Sequence, residues 1–274
     1  MLRNLARLGR YRGLIQSLVA RELKARYRGS VLGFFWSFFN PLLLLLVYSF
    51  VFTYVMTSRN DVRIEPYALF MFCGILPWTW FSSSLIESSG VLISGGNLIK
   101  KVLFPAEILP IVTVLANMIH YFFGLVILAG FLIWYQRPLN VSELALFPIV
   151  VLVQLVLTTA FALILSALTV HFRDIRDILS NLLTFWFFAT PIIYPYFFFN
   201  DPSNPDKVVW QATLLKLNPF THLAVTYQEI LFFNGPVGHL KWLLVLGVIS
   251  IGFFLFAYWA VSYTHLTLPT IYSV

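Results

Sequence analysis

Charged residues and cysteine are scarce in this sequence. Only 11% of the 274 residues are Asp, Glu, Lys or Arg, whereas 59% are hydrophobic and 18% are aromatic. This composition, with a mean hydropathy of +0.84, lies outside the range of soluble domains and excludes that class. Cys73 is the only cysteine, which excludes an intrachain disulfide and argues against a cysteine metal site, so we expect no metal.

The motifs of common enzyme classes are also missing. No GxxxxGK[ST] stretch occurs, and GGNLIKK at 95–101 has neither the spacing nor the hydroxyl residue of a phosphate-binding loop, so this chain is not an ATPase. The few acidic residues form no carboxylate pair or His-carboxylate constellation. A transferase that acts on a lipid carrier therefore remains only a weaker alternative.

Long apolar runs dominate what is present. They are long enough to cross about 30 Å of hydrocarbon as helices, and the alternating segments of about 10 residues that build a barrel are not seen. The sequence predicts an all-α integral membrane protein with six transmembrane helices, at about 32–56, 67–87, 108–134, 144–170, 178–199 and 241–262.

The basic residues indicate which side each terminus occupies. Eight Lys or Arg precede span 1, two follow span 2 and two follow span 4, whereas the remaining six are spread over the other side. Because basic residues near span ends are retained in the cytoplasm, we expect both termini there. The net charge of +7 is explained by anionic lipid headgroups beside the spans, so we expect no nucleic acid partner.

The segment before span 1 is predicted to be an amphipathic helix, within residues 1–30. Leu14 and Leu18 recur at helical spacing on one face, while Arg21, Lys24 and Arg28 occupy another, as in a helix that lies in the headgroup plane. Glu22 and Arg26 are spaced for an i,i+4 ion pair on this helix. Two interpretations stay open. The helix is either a positive-inside anchor or an element that transmits force from a cytoplasmic partner to span 1.

Four stretches together resemble one family. They are RELKARYRGSVLGFFWSFFNPLL at 21–43, KKVLFPAEILP at 100–110, HFRDIRDILSNLLTFWFFATPIIYP at 171–195 and LNPFTHLAVTYQEILF at 217–232. They are similar to the permease subunits of ATP-binding-cassette exporters that carry O-antigen, capsule and teichoic acid chains. The resemblance, over residues 14–260, implies a homodimer in the bacterial inner membrane, paired with a separate ATPase subunit that binds ATP and Mg²⁺. This chain itself is expected to hold no cofactor and to move a lipid-linked polysaccharide.

Two regions are predicted to contact that ATPase. In the loop after span 2, Pro105 and Pro110 bound a short helix, and the charged junction HFRDIRD follows span 4. The alternative interpretation is a pair of solvated loops. The coupling residues that we predict are Lys100, Lys101, Phe104, Glu107, Arg173, Asp174, Arg176 and Asp177.

Spans 1 and 5 carry most of the candidate channel aromatics. Interfacial belts explain many such residues, but sugar rings crossing a pore also need flat, weakly binding surfaces at many sites. We predict Trp36, Phe39, Phe185 and Trp186 as lining positions. Pro191 and Pro195 should break span 5 near its outer end, where freed carbonyls need a neighbouring helix or a water-filled cavity. With Pro219 they form the predicted gate.

The domain organisation follows from these assignments. Residues 31–262 form the permease domain, and within it 200–240 is predicted to hold short re-entrant or gate helices, with a plain surface helix as the alternative. The tail 263–274 has no Lys or Arg, departs from the family pattern and is left out of the functional argument. An alternative function is a permease for a small drug or a lipid.

Overall fold

The computed structural model describes residues 11–51, 54, 64–95, 105–137, 140–199, 210–233 and 236–267. These residues form helices and no strand. The α-helices are Arg12–Arg26 (α1), Trp36–Phe50 (α2), Tyr67–Ser94 (α3), Ile108–Trp134 (α4), Val141–Leu144 (α5), Phe147–His171 (α6), Ile175–Phe188 (α7), Trp210–Leu217 (α8), Pro219–Leu231 (α9) and Leu240–Thr267 (α10). Short 3₁₀ turns cover Gly33–Phe35 and Tyr196–Phe198.

The N-terminal helix α1 packs with its apolar face on the start of α4 and the end of α3. Leu18 is buried there against Leu92 and Ile108. The predicted pair between Glu22 and Arg26 is present, with 3.8 Å between the carboxylate and Nε. The chain then turns into α2 through Gly29, whose φ of +80° favours glycine because it lacks a Cβ atom.

Four helices of the described chain are long and apolar enough to cross a membrane. They are Tyr67–Ser94, Ile108–Trp134, the continuous Val141–His171 and Leu240–Val261. The spans predicted at 67–87, 108–134, 144–170 and 241–262 are therefore confirmed as helices. The chain is a multi-span membrane protein.

The other two predicted spans differ from what their apolar length suggested. In the described residues the first is the shorter helix α2, which has 15 residues and contains Pro41. The fifth is helical only as α7, which ends at Phe188, and the chain continues as turns to Pro195. Pro191 explains this end, because its ring excludes a continuing helix and disfavours helical geometry at Thr190.

The core surrounds α3, which is buried on most of its circumference and contacts α2, α4, α6, α7 and α9. An aromatic cluster forms its centre, with the ring centroids of Trp78 and Phe81 each 4.9 Å from that of Phe220. Helix α9, in the predicted gate segment, has 11 of its 13 residues buried. This burial favours a helix inserted into the bundle over a surface helix.

Candidate functional site

A charged group joins the N-terminal helix to the interior of the bundle. Arg26, at the end of α1, donates from Nη1 to Asn117 Oδ1 at 2.9 Å and from Nη2 to the carboxylate of Glu87. Asn117 in turn donates to Glu87 Oε2 at 2.7 Å. Three helices, α1, α3 and α4, therefore meet through one closed set of hydrogen bonds.

A second polar set continues from the same place into α2. The hydroxyls of Tyr27 and Ser37 lie 2.6 Å apart, and His120 Nδ1 lies 3.1 Å from Ser37 Oγ and 3.2 Å from the Tyr27 hydroxyl. We call Arg26, Tyr27, Ser37, Glu87, Asn117 and His120 the Arg26 network. It ties both ends of the turn between α1 and α2 to the body of the protein.

A cavity of about 440 Å³ opens beside the Arg26 network. Its remaining wall combines the rings of Trp36, Trp80 and Tyr121 with apolar side chains such as Leu44 and Leu76. This size lies within the range of about 300–1,000 Å³ that is usual for ligand sites. The only full charges of the described lining, Arg26 and Glu87, compensate each other, so the cavity offers hydrogen bonds and flat apolar surfaces.

The predicted coupling residues divide into three groups. Lys100, Lys101 and Phe104 lie outside the described residues. The junction residues are all exposed: Arg173, Asp174, Arg176 and Asp177. Glu107 differs from the expectation of a free surface charge, because only 6% of it is exposed and it lies next to residues that pack under α1.

The cationic residues of the N-terminal segment are placed as predicted from their spacing. Arg21, Lys24 and Arg28 are exposed, on the side of α1 that does not pack on α4. Together with the exposed junction residues they offer charges to a partner.

The predicted channel aromatics have different environments. Phe39 and Phe185 are 41% and 72% exposed, so both are accessible in the single chain. Trp36 forms part of the cavity wall and packs edge-on against Phe39, at 5.7 Å between ring centroids. Trp186 lies deeper and packs against the core ring of Phe81 at 5.3 Å.

The break after α7 is stabilised by polar side chains of the gate segment. Asn218 accepts from Trp186 Nε1 at 2.7 Å and donates to the carbonyl of Ala189 at 3.1 Å. Gln228 donates to the carbonyl of Pro191 at 3.0 Å. The freed carbonyls are thus satisfied by a neighbouring helix, which is one of the two solutions that the sequence predicts.

All three prolines of the predicted gate lie at this break. Pro191 and Pro195 are buried, and Pro219 is the first residue of α9. An open groove of about 500 Å³ runs alongside, between α7 and α8. Phe185, Trp186 and Pro219 all line it. The structure therefore brings two predicted channel residues and one predicted gate residue to a single surface.

A histidine cluster fastens α9 to the start of α10. His222 donates from Nε2 to the carbonyl of Lys216 at 2.9 Å, and its ring stacks on Trp242 at 5.2 Å. The side chain of His239 lies 3.2 Å from Glu229 Oε1. Burial lowers the pKa of His222 below its ordinary value of 6.5, and the nearby His239 lowers it further, against the opposing bond to Lys216.

Sequence reasoning missed several of these residues. Four of them are not among the site residues predicted from the sequence: Glu87, Asn117, His120 and Asn218. An acidic residue within a helix that spans a membrane is itself a signal of function, and Glu87 carried that signal. Nothing local in the sequence indicates the bond between Asn218 and Trp186, because the two residues are 32 positions apart.

Comparison with known proteins gives the family. The model of the ABC-2 type transporter family matches residues 13–232. This chain belongs to the ABC-2 type transporter family. The predicted identity as a permease of an ATP-binding-cassette transporter is thereby confirmed.

Individual relatives agree with this assignment. The chain is 42% identical, over 92% of each sequence, to the O-antigen export system permease protein RfbA of Myxococcus xanthus. It is 32% and 30% identical, over 85% of each sequence, to two proteins of the same name from Klebsiella pneumoniae. The similarity therefore extends over nearly the whole length of this ABC-2 permease.

Proposed function

We propose that this ABC-2 permease exports a lipid-linked polysaccharide of the O-antigen class across the bacterial inner membrane. The observation that carries the proposal is the 42% identity, over 92% of both chains, to a protein named as an O-antigen export permease. The family membership disfavours the transferase alternative. ATP and Mg²⁺ belong to a separate ATPase subunit, and this chain needs no cofactor.

The cavity beside the Arg26 network supports a glycan as cargo. Sugars present hydroxyls and weakly polar C–H faces, and the cavity offers amide, hydroxyl and aromatic groups without uncompensated charge. The accessible Phe39 and Phe185 add weakly binding surfaces along the proposed route. The path begins at Trp36, beside α1, and ends at the groove that contains Trp186.

The transmembrane arrangement that we propose has six spans, with both termini in the cytoplasm. Span 1 contains helix α2, and span 5 contains α7 with the turns after it. Helices α8 and α9 then form a re-entrant gate on the outer side. The burial of α9 and the Pro191 break support this arrangement.

The complex that we propose contains two copies of this chain and two ATPase subunits. Exposed apolar residues on α2 and α7 support a second copy as their partner: Leu43, Leu46, Val47, Phe50, Ile178, Leu182 and Phe185. The exposed charges of α1 and of the junction between α6 and α7 support docking of the ATPase, with segment 100–110 as a further contact. Membrane lipids surround the remaining apolar surface.

An ATPase assay on the reconstituted complex tests the cargo. We expect lipid-linked glycan to stimulate ATP hydrolysis and hydrophobic amines to leave it unchanged. Stimulation by the amines alone would favour the alternative, a permease for a small drug or lipid. Trp36→Ala should weaken the response to glycan, whereas Trp134→Ala, at an exposed position on α4 outside the cavity, should not.

A further inference from the structure

The side chain of Asn218 uses its whole hydrogen-bonding capacity within the protein. Its Oδ1 accepts from Trp186 Nε1 at 2.7 Å and from the backbone N–H of Phe220 at 3.0 Å. Its Nδ2 donates to the carbonyl of Ala189 at 3.1 Å and to Thr190 Oγ1 at 3.0 Å. A carboxamide has two acceptor sites and two donors. Asn218 therefore has no group left for a ligand, although it borders the groove.

These four bonds join the end of α7 to the start of α9, two regions that are 28–32 residues apart in the sequence. One bond caps the N-terminus of α9, two hold the broken end of α7, and one fixes the indole of Trp186. Asparagine alone suits all three. Aspartate lacks the two donors, serine caps the helix with a side chain too short for the other bonds, and glutamine is not among the residues that cap well.

A second attachment lies at the other end of α9. Gln228, which is 1% exposed, donates to the carbonyl of Pro191 at 3.0 Å. Asn218 and Gln228 are ten residues apart, and they donate to two carbonyls close together in the chain, those of Ala189 and Pro191. Two attachments at separate points prevent the end of α7 from rotating independently of α9.

The ring contacts of Trp186 and Phe220 allow the end of α7 and helix α9 to move together. Trp186 and Phe220 both pack on Trp78 and Phe81, with ring centroids 4.9–6.2 Å apart. These contacts are apolar and not directional like hydrogen bonds, so the pair can shift over that surface. The bonds of Asn218, in contrast, keep Trp186 and the start of α9 at a fixed distance from each other.

We propose that Asn218 is a positioning residue for export, which makes Trp186 move with the gate helix α9. Opening of the outer gate then displaces an aromatic surface of the glycan route in the same step. This inference rests on the proposed function, because it takes α9 as the gate. It adds a specific link between gate and route that operates without contact to the glycan.

Fluorine NMR of the complete complex tests the link. The complex of permease and ATPase is labelled with 5-fluorotryptophan, and the signals are assigned with Trp186→Phe and Trp242→Phe. Trp242 reports on α9 independently, because it stacks on His222 of that helix at 5.2 Å. Spectra are compared without nucleotide and after trapping with ATP and vanadate. We expect both signals to shift on trapping, with the same dependence on nucleotide concentration.

The variant Asn218→Ser keeps a cap on α9 but loses the bonds of Asn218 to Trp186, Ala189 and Thr190. In this variant the Trp242 signal should shift as in the native complex while the Trp186 signal shifts less, since only the Gln228 bond still joins the end of α7 to α9. Glycan exported per ATP should fall about 3- to 10-fold, as for residues that transmit coupling. Asn140→Ser is the matched control, since the Asn140 side chain also caps a helix but, among the described residues, bonds only to Ser142. Its spectra should follow those of the native complex.

The possible results separate the two proposals. If the native Trp242 signal shifts and the Trp186 signal does not, the link is wrong although α9 moves. If the Trp186 signal shifts as far in Asn218→Ser as in the native complex, the link is also wrong. If neither signal shifts in the native complex, the gate proposal fails and Asn218 has only a structural role. If Asn218→Ser does not assemble, the native complex alone tests the link. Different midpoint nucleotide concentrations for the Trp186 and Trp242 signals would then overturn it.

Discussion

The guanidinium of Arg26, at the end of the N-terminal helix, donates directly to the carboxylate of Glu87 on α3, at the edge of the cavity. The two residues are 61 positions apart, and Asn117 closes the set by bonding to both. A displacement of α1 must therefore either carry α3 and α4 with it or break these bonds. This contact is the most direct connection between the proposed ATPase-docking helix and the glycan route.

Removal of the Arg26 guanidinium should separate ATP hydrolysis from export. Arg26→Ala is expected to lower the free energy of unfolding by about 1.5–3 kcal/mol, the usual value of a hydrogen bond to a charged group. Export per ATP should fall while hydrolysis continues. Glu22→Gln, which removes only the exposed local partner of Arg26, is the control and should keep native coupling. Equal losses in both variants would contradict the role of Glu87.

Two glycines of α3 should respond oppositely to alanine. A Cβ at Gly74 would lie 3.2 Å from both Gln228 Nε2 and Ile192 Cγ2, so Gly74→Ala should disturb the bond to Pro191 and destabilise by about 1–3 kcal/mol. A Cβ at Gly90 meets nothing closer than 3.9 Å, and Gly90→Ala should stabilise the helix by about 0.5–1 kcal/mol. Thermal unfolding in detergent measures both changes in stability. A higher unfolding temperature for Gly74→Ala would contradict the close packing of Gly74 against Gln228 and Ile192.

Acidic pH should lower the stability of helix α9. Because burial lowers the pKa of His222, the unfolded segment gains a proton below about pH 6.5 that the native ring resists, so stability falls as the pH falls. Hydrogen exchange of α9 amides at pH 7.5 and 5.5, compared at equal intrinsic exchange, measures the effect. His222→Gln, which keeps a donor for Lys216, should reduce the pH dependence, whereas His171→Gln, at an exposed position, should not. An unchanged profile in His222→Gln would contradict this role of His222.

Binding of the ATPase should depend on the exposed junction between α6 and α7. Exposed charge pairs contribute about 0.2–1 kcal/mol each, so the double change Arg173→Ala and Arg176→Ala should weaken ATPase binding about 3- to 10-fold. Lys241→Ala is the control, because Lys241 is equally exposed but predicted on the opposite side of the membrane. The affinity is measured by titrating purified ATPase onto the permease in nanodiscs. Equal affinities for the native permease and the double variant would exclude the junction as a contact.

The parts of this structure that could be predicted are those with local causes. Long apolar runs predicted four of the spans, and the i,i+4 spacing predicted the pair of Glu22 and Arg26. Pro191 indicated where the fifth span breaks. Most bonds of the Arg26 network and of Asn218 could not be predicted, because apart from the Tyr27–Ser37 pair and the cap on Phe220 they join residues 28–93 positions apart and depend on how the helices pack. The burial of Glu107 was missed for the same reason, since α1 covers that region.

Export itself is the most direct test of the central claim. The permease and the ATPase are reconstituted in proteoliposomes with the ATPase outside, and lipid-linked O-antigen polysaccharide is supplied in the outer leaflet. We predict ATP-dependent appearance of glycan in the lumen, protected from an added glycosidase, and a loss of this signal in Arg26→Ala. ATP hydrolysis with no protected glycan, or the same protection without ATP, would contradict the assignment of this chain as the permease of a glycan exporter.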